Sequence, residues 1–199
     1  MKVLHIIPSA FNYFDDIRRE AFAWLEEENN FGLQSEVITL EYGTTTKKEE
    51  SEVGVTAPSR QFLGQQPISE NANSWDRYDI INLHCPFFGA ASQIISWAQA
   101  NPNKALVVTY HNDFRTPDFF SLIIKFYNLY YLPKVFSIAK AVCFLVNRRS
   151  QSRGGISTLK NDKKAFVLGQ ISDELDIHKT DIVSDLILVY NNTTLTNTN

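Results

Sequence analysis

Two rhythms alternate along the chain. Short apolar runs rich in β-branched residues occur at KVLHIIP (2–8), SEVITLEY (35–42), YDIINLH (78–84), KALVVTYH (104–111), KAVCFLV (140–146) and KAFVLG (164–169). Runs of this length and composition predict strands. Between them the apolar residues take helical spacing. Ile17, Ala21, Trp24 and Leu25 share one stripe after Asp15–Asp16, and Gly32 closes the segment. Either aspartate suits an N-cap, because its carboxylate accepts from the free N–H groups of a first turn. A second helix opens at Gly89, with Ala91, Ile94, Ile95 and Ala98 on one face, and ends near Asn101–Pro102, since the residue before proline avoids the helical region. Phe119–Leu132 has eleven apolar residues in fourteen and reads as a helix interrupted by Pro133. Its apolar residues circle the helix, which favours burial.

Residues 43–75 break the rhythm. They hold KKEESE, Pro-Ser, QQP and ENANS, and only VGVTAP suggests a strand. A long, mobile excursion is expected there. No internal repeat is visible. Strand, helix, strand, helix predicts an α/β class, a Rossmann-like and mostly parallel sheet of six or seven strands with helices on both faces. Ligands of such sheets sit beyond the carboxyl ends of the strands. That rule selects Ser9–Asp16, His84–Gly89, His111–Arg115 and the stretch from Asn147 onward.

Composition narrows the class. The 199 residues suit about one domain, and 44% apolar content suffices for its core. The net charge of −3 excludes nucleic acid as a partner of the whole chain by bulk electrostatics. The charge is uneven: from Arg115 to Lys164 there are ten basic residues against Asp118 and Asp162. That face either solvates itself or meets an anionic surface. Cys85 and Cys143 form no CxxC and no metal spacing, so a reduced, cytoplasmic setting is expected. Pro8 and Asp15–Asp16 spoil a signal peptide, and no apolar run is long enough to cross a bilayer.

His111 ends a strand and is followed by Asn112, Asp113 and Arg115. Its two ring nitrogens suit hydrogen bonding to a hydroxyl or a phosphate, against the plainer reading of a loop histidine. His84 also ends a strand. His5 lies within the first, where a satisfied core histidine is the better expectation. Gly89 lets backbone approach a ligand at a helix start, or merely opens the helix.

KVLHIIPS, YDIINLHCPFFGA, LVVTYHNDF and VLGQISDELD, in this order, resemble the amino-terminal domain of family 4 glycosyltransferases over roughly residues 1–176. These are retaining, nucleotide-sugar-dependent enzymes of the GT-B fold. The resemblance implies an acceptor-binding half in surface polysaccharide or glycan synthesis, with a nucleotide sugar as co-substrate and no cofactor or metal. It implies that His111 lies beside the transferred sugar as the catalytic residue. Asp15, Asp16, His84, Gly89, Asn112, Asp113 and Arg115 would then line the acceptor cleft. The expected partners are a sugar or lipid-linked glycan acceptor, a separate donor-domain polypeptide, and the inner face of a membrane touched peripherally.

Two departures stand out. Many family members have Gly-Gly where this chain has Asp15–Asp16, and carboxylates repel phosphate. The family's donor domain carries an E-x7-E pair, whereas Glu174 is the one glutamate after Glu70. DLILVYNN (185–192) reads as the first strand of a donor domain, followed by a disordered Asn/Thr tail. The expected organisation is an acceptor-side domain over 1–180 and, over 181–199, the start of a missing donor domain. Transfer by this chain alone is expected to be negligible. The alternatives are a non-catalytic carbohydrate- or partner-binding module and an inactive gene remnant.

Overall fold

A computed structural model describes residues 1–8, 15–42, 54–59, 72–87, 91–111, 125–127, 129–147, 164–171 and 175–195. The strands are β1 (Lys2–Pro8), β2 (Gln34–Tyr42), β3 (Gly54–Ser59), β4 (Ile80–Cys85), β5 (Ala105–Tyr110), β6 (Ala141–Asn147) and β7 (Ala165–Ile171). They form one seven-stranded sheet in the order β3-β2-β1-β4-β5-β6-β7, and every pairing is parallel. The helices are α1 (Asp15–Asn30), α2 (Ala91–Ala100), α3 (Leu132–Ile138) and α4 (Leu175–Leu195), with a 3₁₀ turn at Ala72–Arg77. This is the Rossmann-like α/β arrangement that the sequence predicts. The strand order reverses between β1 and β4, so the switch point lies there.

The strands read as near-continuous apolar runs because both faces are covered. The period of two then sorts their residues. One face presents Leu4, Ile6, Ile81, Leu83, Leu106 and Val108 to a core with Trp75, Ile94, Trp97, Val135 and Phe136. The opposite face presents Val3, Ile80, Val107 and Cys143 to Trp24 of α1 and to Ile182, Val183, Leu186, Val189 and Tyr190 of α4. Ile17, Ala21 and Leu25 of α1 pack on Ile7 and Val37. The polar positions of the central strands, His5, Asn82, His84, Thr109 and His111, alternate with residues of the first face and so all lie on the second.

Three expectations change. The segment 185–192 is helical, within α4, and not a strand of a further domain. Its residues Leu186, Val189 and Tyr190 are buried against the sheet, and that packing outweighs the strand propensity of Ile187 and Val189. The Asn/Thr stretch is likewise helical to Leu195, where Thr193 and Thr194 hydroxyls donate to the Tyr190 carbonyl at 2.9 and 3.1 Å. The helix does break next to Pro133, as expected: Tyr131 is a turn residue between the helical residues ending at Tyr130 and α3. Pro133 sits in the first turn of α3, where its missing N–H leaves no bond unmade. The preceding helical residues are not buried all round: Tyr127 is buried, but Phe126, Leu129 and Tyr130 are 58%, 77% and 54% exposed. The strand suggested by VGVTAP is β3, one of the two outer strands of the sheet. Gly32, with φ 84°, takes the left-handed conformation that ends α1.

Candidate functional site

The site is built where α1 crosses the second face. Each of its three histidines comes from a neighbouring strand and climbs toward the carboxyl edge. His5 of β1 pairs with Asn82 of β4; His84 lies two residues further on, and pairs with Thr109 of β5; His111 lies two residues beyond that. One pleat per strand therefore brings the rings into a diagonal row, with centroids 5.2 Å apart between His5 and His84 and 5.0 Å between His84 and His111. Helix α1 runs beside this row with Glu28, Trp24 and Glu20 at spacings of four, which puts them on one stripe. Eight helical residues rise about 12 Å, enough to follow both ring-to-ring steps.

The hydrogen bonds form an unbroken chain. Glu28 Oε2 faces His5 Nε2 at 2.8 Å, His5 Nδ1 faces His84 Nε2 at 2.9 Å, His84 Nδ1 faces His111 Nε2 at 2.8 Å, and His111 Nδ1 faces Glu20 Oε2 at 3.0 Å. The Trp24 indole stacks on His111 at 5.3 Å with 9° between planes. The buried Glu28 carboxylate also accepts from Ser35 Oγ at 2.5 Å and from the Tyr190 hydroxyl at 3.2 Å. Tyr190 in turn accepts from Asn82 Nδ2 at 2.7 Å, and Thr109 donates to Asn82 Oδ1 at 2.8 Å. A fully buried carboxylate is tolerated only with such a set of donors. Burial, then the nearby His111 and His5, hold the His84 imidazole well below its ordinary range, so it is neutral. Burial first, then Glu28, pushes the Tyr190 phenol well up, so it remains a donor.

Of the residues singled out in the sequence, His84 and His111 meet directly. His111 is 2% exposed and both its nitrogens are engaged. Among the described residues of the row, Glu20 is the solvent-facing group at that end, with its side chain 30% exposed. Asp15 and Asp16 form the start of α1, at the same carboxyl edge. Gly89, Asn112, Asp113 and Arg115 lie outside the described residues, as do residues 148–163. His5 is the satisfied core histidine expected, and it is also the inner ring of the chain. Glu20, Glu28 and Tyr190 were not anticipated. Glu28 had a visible signal, since it continues the stripe of Ile17, Ala21 and Trp24 with a carboxylate at a position that should be apolar.

The ring nitrogens face one another in pairs, so they satisfy each other rather than converge on a point. Among the described residues no group of three His, Cys, Asp or Glu is placed to hold a metal. The thiols are inert: burial first pushes Cys85, and likewise Cys143, up to about 12. Among the described residues no helix is long and apolar enough to cross a membrane.

Fold and site together define a Rossmann-like α/β domain with a buried polar row leading to the carboxyl edge beside the switch point. Compared with known proteins, the chain matches no family model and no curated protein.

Proposed function

We propose that the chain is the acceptor-side domain of a retaining, nucleotide-sugar-dependent glycosyltransferase that acts in surface polysaccharide or glycan synthesis. The observation that carries this reading is the row His84–His111–Glu20 at the carboxyl ends of β4 and β5, next to the β1/β4 switch point. Ligands of parallel sheets bind in that crevice, and a carboxylate backed by imidazoles suits sugar hydroxyls. Glu20 is the group that meets the acceptor, with Asp15 and Asp16 at the same edge. His111 acts beside the transferred sugar by holding and orienting Glu20. The nucleotide sugar is a co-substrate gripped by groups outside these 199 residues, supplied by a partner polypeptide or by further sequence, and no metal is required.

The acceptor is a lipid-linked glycan at the inner face of a membrane. Lys125, Phe126, Leu129 and Tyr130 are exposed on the helical residues before Tyr131, and Lys134 is exposed on α3 just after it. Phe126 stacks on Tyr130 at 5.5 Å, and the Lys134 ammonium lies 4.5 Å from the Tyr130 ring centre. Aromatic rings flanked by lysines suit the boundary of an anionic bilayer. The engagement of both His111 nitrogens favours the second reading, a carbohydrate-binding module that performs no transfer.

A transfer assay with radiolabelled nucleotide sugars, run beside calorimetric titration with free and lipid-linked saccharides, tests the proposal. Saccharide binding with little or no transfer by the chain alone is expected. Robust turnover by the isolated chain contradicts the need for a donor half, and absence of any saccharide binding contradicts the acceptor reading.

A further inference from the structure

The hydrogen bonds along the row impose a count of protons. Each of the four gaps, Glu28–His5, His5–His84, His84–His111 and His111–Glu20, is 2.8–3.0 Å wide. A gap of that width between two polar atoms holds one proton. Three neutral imidazoles bring one each, so the row needs a fourth. With both carboxylates ionised, one ring is an imidazolium.

Position decides which ring. His84 is fully buried and has imidazoles, not carboxylates, on either side. His5 and His111 each face a carboxylate, so the charge belongs to one of these two. Among the described residues, the other polar groups bonded into the row are Ser35 from β2, Tyr190 from α4, Asn82 and Thr109, and they hold Glu28 in place without a charge of their own.

We propose that Glu20, His111, His84, His5 and Glu28 form a proton relay that carries charge between the solvent-facing edge of the sheet and its buried interior. With the charge outside, His111 bears both protons, His84 bears its proton on Nε2 and His5 on Nε2. Two hops move it inward. The His111 Nε2–H bond breaks as His84 Nδ1–H forms, and the His84 Nε2–H bond breaks as His5 Nδ1–H forms. His111 is then neutral with its proton on Nδ1, His84 is neutral with its proton on Nδ1, and His5 is the imidazolium beside Glu28. No atom is gained or lost, and each electron pair stays on its nitrogen. The tautomer of His84 thus reports where the charge rests. Glu20 exchanges protons with solvent or with a bound hydroxyl, while Glu28 stabilises the charge when it is withdrawn.

Side-chain ¹⁵N–¹H correlation spectra of the full chain, with labelled histidine, test this. In the wild type at neutral pH, His84 is singly protonated and one of His5 and His111 is doubly protonated. Glu20→Gln removes the outer carboxylate, so His5 carries the charge and His84 is protonated at Nδ1. Glu28→Gln does the reverse, with His111 charged and His84 protonated at Nε2. The same His84 tautomer in both variants, or three neutral rings in the wild type, overturns the relay. If Glu28→Gln fails to fold, the Glu20→Gln spectrum decides: a charged His5 with His84 Nδ1–H supports the relay, and any other pattern overturns it.

Discussion

The two faces of the central sheet are made by the same strands and are built on different principles. Leu4, Ile6, Ile81, Leu83, Leu106 and Val108 meet α2, α3 and the 3₁₀ turn through apolar packing alone. On the reverse face, one residue along each strand, His5, Asn82, His84, Thr109 and His111 meet α1 and α4 through an almost continuous set of hydrogen bonds. Apolar packing is non-directional and tolerates change of shape. A buried polar row is all-or-none, because removing one member leaves its neighbours unpaired. The polar row adds little that an apolar core could not supply as stability. Its presence at the carboxyl edge beside the switch point is therefore the best mark of function among the described residues.

The contrast is broken most severely at Glu28. Glu28→Ala strands His5 Nε2, Ser35 Oγ and the Tyr190 hydroxyl without their acceptor, and should lower stability by about 3–5 kcal/mol in urea unfolding. Leu83→Ala on the opposite face should cost about 2–5 kcal/mol through the cavity it leaves. The distinction lies in rescue. Replacing Leu83 by Met should restore most of the loss, whereas no apolar residue at position 28 should do so while the donors around it remain.

A smaller effect is expected from Tyr190→Phe. It keeps the ring in the core and removes one hydroxyl from between Asn82 and Glu28. The expected loss is about 1–3 kcal/mol, and the same measurement reads it.

Acidification sharpens the comparison further, because His5, His84 and His111 all lie on the polar face. His84 is neutral when folded, with a lowered pKa, while in the unfolded chain it takes up a proton below about pH 6.5. Its contribution is thus whole above that value and is lost as pH falls below it, at up to about 1.4 kcal/mol per pH unit, until the lowered folded value is reached. Urea midpoints at pH 7.5 and pH 5 should show this slope, and His84→Phe should flatten it.

The smallest effect on stability belongs to Glu20→Gln. Glu20 is partly exposed and faces His111 at 3.0 Å, so less than about 1 kcal/mol is expected. Saccharide affinity, read by calorimetry, should nevertheless fall, since this is the outward-facing polar group of the row.

Much of this was open to reading in the sequence. Strand runs and helical stripes determine the class, and parity along the strands already puts Asn82 with His84 and Thr109 with His111 on one face. The diagonal that joins the histidines was hidden, because it depends on the register of β1, β4 and β5. Glu28 broke an apolar stripe, yet a lone carboxylate has no meaning until its donors arrive from β1, β2 and α4. Residues 185–192 read as a strand because ILVY suits one locally. Only the sheet face left open by the other helices makes that segment a helix.

The most direct test of the central claim, that the polar face is the ligand site, is to follow the Trp24 indole and histidine ring signals while a lipid-linked saccharide is added. The account predicts that Trp24 and His111 shift first and together, with Trp75 and Trp97 of the apolar face unmoved. Saturable binding that shifts Trp75 or Trp97 and leaves Trp24 and His111 unchanged would contradict it.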